Sequence, residues 1–317
     1  LAFFGLVHAL YTAGRPDAEM MIISTKIEHP SIMAVLQDLA QRGVQVKYCP
    51  VDKTGKLDVS VLMSLLSPQT ILLTFSYLNS EIGTIQPVRR IVRAIEAYNR
   101  EHETNIQTHL DAAQAPLWLS CKLDRLGVNV LTLDAGKCYG PKGAGVLAWR
   151  HGSKVAPIIL GGGQEMGYRA GTEHTAGIVG ASVAICEAQA TFTARSDRVS
   201  ALRDHFITSL LELPGVVLNG DTEDRAANNV NISIAGYDSE FAVVWLDEQG
   251  IACSTKSACS GAGSGGSMVV QEVTGDNARA TSTIRFSLGE MTTKRDLDKV
   301  VRVLRDFLIR IAPSKQQ

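Results

Sequence analysis

The chain runs to 317 residues, of which 45% are hydrophobic and 20% charged. That composition excludes a disordered protein and supplies enough chain for two domains or one large core. Its 31 Lys and Arg residues nearly cancel 32 Asp and Glu residues, for a net charge of −1, which excludes a global positive field for nucleic acid and leaves only a local patch open.

The opening LAFFGLVHAL is apolar, lacks the basic flank of a signal peptide and is too short to span a bilayer. Leu1, Gly5 and His8 read as a helix already under way with no cap before it, so the expectation is a chain whose amino-terminal part is incomplete. Apolar, β-branched runs at 20–24, 44–49, 70–77, 106–112, 128–133 and 145–149 predict buried strands. Helical spacing at 31–42 and 88–102 falls between them, with Pro87 at a helix entry that tolerates proline. The alternation predicts an α/β fold, a mostly parallel sheet covered by helices, with ligands beyond the carboxyl ends of its strands. A long helix is predicted over 178–213, ended by Pro214-Gly215. A smaller α+β section follows, with strands near 216–218 and 231–234 and helices at 239–248 and 294–311. The domain boundary is set near residue 195, giving a large domain over 1–195 and a small one over 196–317. The Gly/Ser-rich stretch 261–267 reads as a mobile loop.

Four places carry candidate chemistry. Asp111 ends an apolar strand in His109-Leu110-Asp111-Ala112-Ala113-Gln114, where it can be a helix cap or turn residue or the partner of a cationic group. Lys137 follows a buried strand and precedes Tyr139-Gly140-Pro141, which makes it a candidate Schiff-base nucleophile; Lys142 reads as a solvated loop lysine. Cys259, in Lys256-Ser257-Ala258-Cys259-Ser260-Gly261, stands on a polar loop where a thiol is accessible. Arg285, inside the apolar run Ile284-Arg285-Phe286, needs an anionic partner, either a substrate carboxylate or an internal salt bridge. No C-x-x-C occurs, so neither a zinc ribbon nor a redox pair is indicated; a chain this long needs no disulfide staples, so the cysteines read as reduced thiols, and Cys186, on its apolar helix, is expected to be buried and inert. Gly261-x-Gly263-x-x-Gly266 lies too late in the chain, outside a clear βαβ unit, to be a dinucleotide site.

In this order, together with Ile27-Glu28-His29, Glu81-Ile82-Gly83 and Arg169-Ala170-Gly171-Thr172, these motifs resemble the cysteine desulfurases. That family belongs to the class V aminotransferase group of pyridoxal-phosphate enzymes with the fold type I architecture, and the resemblance runs over about residues 1–312. It implies a large cofactor-binding domain and a small carboxyl-terminal domain bearing the reactive cysteine. It further implies that Lys137 bonds pyridoxal 5′-phosphate, that Asp111 pairs with the ring nitrogen, that His29 stacks on the ring and Gln114 bonds its phenolic oxygen. Without the resemblance, His29 reads as a helix-entry residue before Pro30. Ser80 would contact the cofactor, Thr172 would reach the cofactor of a neighbouring subunit in a homodimer with shared sites, and Arg285 would hold the substrate carboxylate. Cys259 would accept sulfur from L-cysteine, releasing L-alanine, and pass it to an acceptor protein such as an iron–sulfur scaffold, in the cytoplasm, for cluster assembly or tRNA thiolation. Two other readings stay open: a selenocysteine lyase or other class V aminotransferase-type enzyme, and a non-catalytic homologue that binds a protein partner.

The chain departs from the family's pattern in three places. The chain is expected to begin after the point where the family's amino-terminal phosphate loop lies. The Ser-x-His-Lys before the cofactor lysine is Asp134-Ala135-Gly136-Lys137, and Asn-Asn-Glu is Asn79-Ser80-Glu81.

Overall fold

In the computed structural model, residues 1–255 and 266–310 are described, and they fall into two compact units. The first comprises Leu1–Pro50, Leu57–Leu78 and Gln86–Phe192. Its strands are β1 (Met21–Ser24), β2 (Gln45–Tyr48), β3 (Thr70–Ser76), β4 (Gln107–Asp111), β5 (Val130–Asp134) and β6 (Gly145–Trp149), in the spatial order β2-β1-β3-β4-β5-β6. All neighbours are parallel except β6, which runs antiparallel to β5. The helices are α1 (Ala2–Thr12), α2 (Pro30–Gln41), α3 (Val59–Leu65), α4 (Val88–Glu101) and α5 (Leu123–Leu126).

Both faces of the sheet are covered, and this explains why β3 is buried at all seven positions. Met21, Ile23, Leu73, Phe75, Leu110 and Leu131 point to the face where α4 presents Ile91, Val92, Ile95 and Tyr98. Ile22, Leu72 and Val130 point the other way, onto Phe3 and Leu6 of α1 and Leu36 and Leu39 of α2. The order of connection reverses between β1 and β3, so the crevice of this sheet opens at their carboxyl ends.

The second unit comprises Val51–Lys56, Asn79–Ile85 and the chain from Thr193. It holds an antiparallel sheet of β7 (Val216–Leu218), β8 (Asn229–Ile234) and β9 (Thr283–Ser287) in that order. Its helices α7 (Ser239–Glu248), α8 (Met268–Thr274), α9 (Asn277–Thr281) and α10 (Lys294–Arg310) complete the α+β arrangement. Phe307 of α10 is fully buried among the rings of Tyr237, Phe241 and Trp245, with centroids 5.6 to 6.0 Å away. The chain divides after Phe192, inside the long helix α6 (Thr175–Leu211). A linear boundary near 195 does not include the two short segments of the first half, one carrying Ser80, that fold with the second unit. By length and composition alone α6 would suffice to cross a membrane, a property it shares with long helices of globular proteins.

The strands lie within two residues of the expected runs, and β9 forms around Arg285, where the sequence showed an apolar run. The short helices α3, α5, α8 and α9 go beyond the periodicity reading. A helix of seven residues or fewer offers too few turns for a 3.6-residue pattern. Caps mark three of them: Asp58, Ser267 and Asp276 accept from the first backbone N–H groups of α3, α8 and α9.

Candidate active site

The carboxyl ends of β1, β3, β4 and β5 carry a row of polar side chains within the first unit. Beyond β1, His29 is the N-cap of α2, with Pro30 at the first helical position. Its Nδ1 accepts from the Ser31 backbone N–H at 3.2 Å and lies 2.8 Å from Ser31 Oγ. The helix-entry role is therefore present, and the imidazole stands at the expected sheet edge. Glu28, just before it, is 7% exposed. Thr25 Oγ1 and Ser76 Oγ each donate to one of its carboxyl oxygens at 2.5 Å. Burial pushes this carboxyl up to about 7; the two hydroxyl donors oppose that rise, and the negative charge of Asp111 adds to it.

Asp111 ends β4, in register with Ser76 on one side and Thr132 on the other. Its Oδ1 accepts from the Ala113 N–H at 3.0 Å and from Thr132 Oγ1 at 3.4 Å, so the turn role is also real. Behind it, His109 is fully buried, with Nδ1 2.9 Å from Thr74 Oγ1. Burial holds that imidazole down to about 4, hence neutral. Gln114 follows in a half-buried turn. Gln189 of α6 fastens the residues after that turn: its amide donates to Pro116 O and Leu119 O at 2.7 and 2.8 Å and accepts from Cys121 N–H at 2.7 Å.

Lys137 lies in a single 3-10 turn, Ala135–Cys138, directly after β5. Asp134 starts that turn: its Oδ1 accepts from the Gly136 N–H at 2.9 Å, and its Oδ2 lies 3.8 Å from Lys137 Nζ. The two side chains are 41% and 34% exposed. Tyr139 ends the turn at φ 62°. Gly140 packs so closely that a Cβ there would lie 2.8 Å from Ala135 O and 2.8 Å from Ala184 Cβ, so only glycine fits without a shift. Lys142 is exposed, as the sequence implies.

Thr172 is exposed and lines a cavity of about 510 Å3 with Arg169, His174 and Cys186. Cys186 corrects an expectation. Its helix is apolar, but this residue is on the open face and is exposed, because α6 buries only part of its circumference. Cys49, Cys121 and Cys253 are pushed up to about 12, chiefly by burial, so their thiols stay protonated at neutral pH.

In the second unit, Arg285 and Ser80 meet: Arg285 Nη1 donates to Ser80 O at 3.1 Å. The backbone of Arg285 exchanges hydrogen bonds with Ser254. Glu81, next to Ser80, is held by Asn229 and Asn231, which donate to its carbonyl at 3.0 Å, and by Ser267 Oγ, which donates to its carboxylate at 2.6 Å. Cys259 and the glycines at 261, 263 and 265 lie outside the described residues. His29, Asp111, Gln114 and Lys137 thus share one edge of one sheet, and Ser80 and Arg285 share the other unit. Reading the sequence missed Glu28, Ser76 and Gln189 as site-building residues. Glu28 stood in the motif Ile27-Glu28-His29, but nothing local marked its burial; for Gln189, 68 residues from Cys121 in the chain, there was no local signal.

The model of the aminotransferase class-V family matches residues 4–300. The cysteine desulfurase IscS of Dictyoglomus turgidum is 36% identical over 321 aligned positions, covering 100% of this chain and 79% of that protein. The cysteine desulfurase NifS of Azotobacter vinelandii is 34% identical, covering 89% of this chain and 69% of that one. Among solved structures, a NifS-like protein superposes with a TM-score of 0.87 at 28% identity, covering 98% of this chain and 79% of its own. A structure described as SspA in complex with cysteine gives a TM-score of 0.73 at 27% identity, with 91% and 79% coverage. A parallel sheet with a lysine-bearing turn after β5, matched across nearly the whole chain, defines a class-V aminotransferase with the fold type I architecture, and this chain belongs to that family. Within it, the chain belongs to the cysteine desulfurases.

Proposed function

We propose that this cysteine desulfurase uses pyridoxal 5′-phosphate to convert L-cysteine to L-alanine, leaving the sulfur as a persulfide on Cys259. The acceptor is a sulfur-carrying protein of the iron–sulfur scaffold type, and the setting is cytoplasmic. The observation that carries the reading is the placement of Asp111 at the carboxyl end of β4 and of Lys137 in the turn directly after β5, its parallel neighbour.

The donor set suits the cofactor's ring. A half-exposed amine at one strand end matches an aldehyde, and a half-buried carboxylate at the next matches a ring nitrogen that must stay protonated. When bound, the cofactor supplies an electron sink that weakens bonds at the substrate's α-carbon. The roles of the protein's own groups follow from their chemistry. Asp111 holds a proton on the ring nitrogen, and Gln114 and His29 orient the ring. Lys137 carries the aldehyde and moves a proton at the substrate's α-carbon. Arg285 binds the substrate carboxylate, with Ser80 on the same unit. The Cys259 sulfur bonds to the substrate sulfur as the carbon–sulfur bond breaks; the carbon recovers a proton and the two thiols become one persulfide and L-alanine, with no external oxidant.

The test supplies the full chain with pyridoxal phosphate and L-cysteine and measures alanine and protein-bound persulfide. Equal amounts of both are expected in a single turnover, with both lost in Lys137→Ala and the persulfide lost in Cys259→Ala. Undiminished sulfur transfer to an acceptor protein by Cys259→Ala would remove Cys259 from the reaction.

A further inference from the structure

The feature of the lysine turn that the reaction above does not use is Asp134. Three observations define it. Its Oδ1 is tied to the Gly136 N–H at 2.9 Å, which fixes the carboxylate over the start of the turn. Its Oδ2 faces Lys137 Nζ at 3.8 Å. A Cβ on residue 136 would lie 3.3 Å from Oδ1, so glycine at that position leaves the carboxylate its room. Asp134 and Gly136 are thus fitted to each other, and the pair does two things. It consumes a backbone N–H that would otherwise be free to bind an anion. It also places a fixed negative charge beside the amine that bonds the aldehyde.

An aldehyde bonded to Lys137 brings whatever else it carries to within the roughly 10 Å over which charges interact at about 0.1 M salt. Lys142 is the neighbouring cation of this loop; its Cα would lie 3.8 Å from a Cβ on residue 136, while its side chain is exposed. A doubly anionic phosphate therefore meets a carboxylate that a neutral aldehyde does not feel. We propose that Asp134 is a specificity-determining residue, one that lowers the advantage a phosphate-bearing aldehyde holds over its unphosphorylated form at Lys137. This rests on the reading of Lys137 as the aldehyde carrier.

The experiment presents the full, unloaded chain with pyridoxal phosphate and pyridoxal at equal concentrations, fixes the product with borohydride, and quantifies the two labels on the Lys137 peptide by mass. Using a ratio on one amine cancels any effect of the variant on the amine itself. Asp134→Asn keeps an acceptor for the Gly136 N–H, so the turn is preserved. It is expected to raise the phosphorylated-to-unphosphorylated ratio about three- to tenfold at low salt. Asp134→Glu, which keeps the charge, is expected to stay within about twofold of the parent chain on the same argument. The gain in Asp134→Asn should fade in about 1 M salt, where screening acts over roughly 3 Å. An unchanged ratio in Asp134→Asn, or a change indifferent to salt, overturns the inference and leaves the proposed function standing. Absence of either label on Lys137 in every variant overturns both.

Discussion

Glu28 enters the folded chain with water excluded, two hydroxyl groups as donors and the charge of Asp111 nearby. Its carboxyl titrates near 7 when folded, against an ordinary value of 4.5. Between those two pH values the folded chain keeps a proton that the unfolded chain has released, so stability falls as pH rises through the window, and the loss is complete above 7. The size of that loss is about 1–3 kcal/mol. Glu28→Gln is expected to raise the thermal midpoint at pH 8 and to leave it nearly unchanged at pH 5. His109 acts in the opposite sense: its folded value of about 4 lies below the ordinary 6.5, so its contribution is lost as pH falls through that range. The acid limb of the stability profile should survive the Glu28 substitution. Equal midpoint changes at both pH values would show that Glu28 is not the buried acid. At this scale the sequence was legible where one residue carries its own chemistry, as with Asp111 and Lys137. It was not legible for Glu28, whose raised titration comes from its burial in the fold and from the charge of Asp111, with Thr25 and Ser76 opposing it.

Elements decide where those residues point. The strands were readable because a parallel sheet covered on both faces writes apolar runs into the chain. What holds the turn after β4 was not readable, since Gln189 reaches it from α6. Gln189→Leu keeps the approximate volume and removes three hydrogen bonds to backbone groups at 2.7 to 2.8 Å. A cost of about 2–3 kcal/mol follows, because the groups left behind are half-buried. Denaturant titration should show that loss, together with faster release of cofactor as Gln114 loosens. Unchanged stability would mean the turn is held by its own packing. Gly266, which precedes the cap of α8, offers a second element-scale test. A Cβ there would lie 2.5 Å from the backbone carbonyl carbon of Ala280. Backbone cannot swing aside as a side chain can, so Gly266→Ala should cost about 1–3 kcal/mol. Differential scanning calorimetry would register it, and a midpoint equal to the parent's would refute the close approach.

For the molecule as a whole, α6 poses the question of what it faces. Ile178, Val179 and Val183 are 45%, 57% and 52% exposed, so an apolar stripe of this helix is in water in the isolated chain. Such a stripe marks a surface that another surface covers. Thr172 and the cavity it lines adjoin the same helix, with Ile178 in the cavity wall. The family resemblance implies a second copy of this chain as the occupant, with Thr172 serving the neighbour's site. The sequence alone suggested a homodimer only through its family resemblance; periodicity could mark a long helix but not which of its faces remains uncovered. Replacing Val179 and Val183 together by Glu puts two charges into the proposed contact without touching Lys137, Asp111 or the folded core, since both side chains are exposed. Burying unpaired charge is costly enough to dissociate a dimer held by apolar contact. Sedimentation of the parent chain should give a dimer, and the double variant a monomer with native circular dichroism. The monomer should also release its cofactor several-fold faster, as the neighbour's Thr172 is withdrawn. If the double variant sediments as a dimer, this face of α6 is not the interface. If it is monomeric yet holds the cofactor as tightly as the parent, the dimer is real but its sites are not shared.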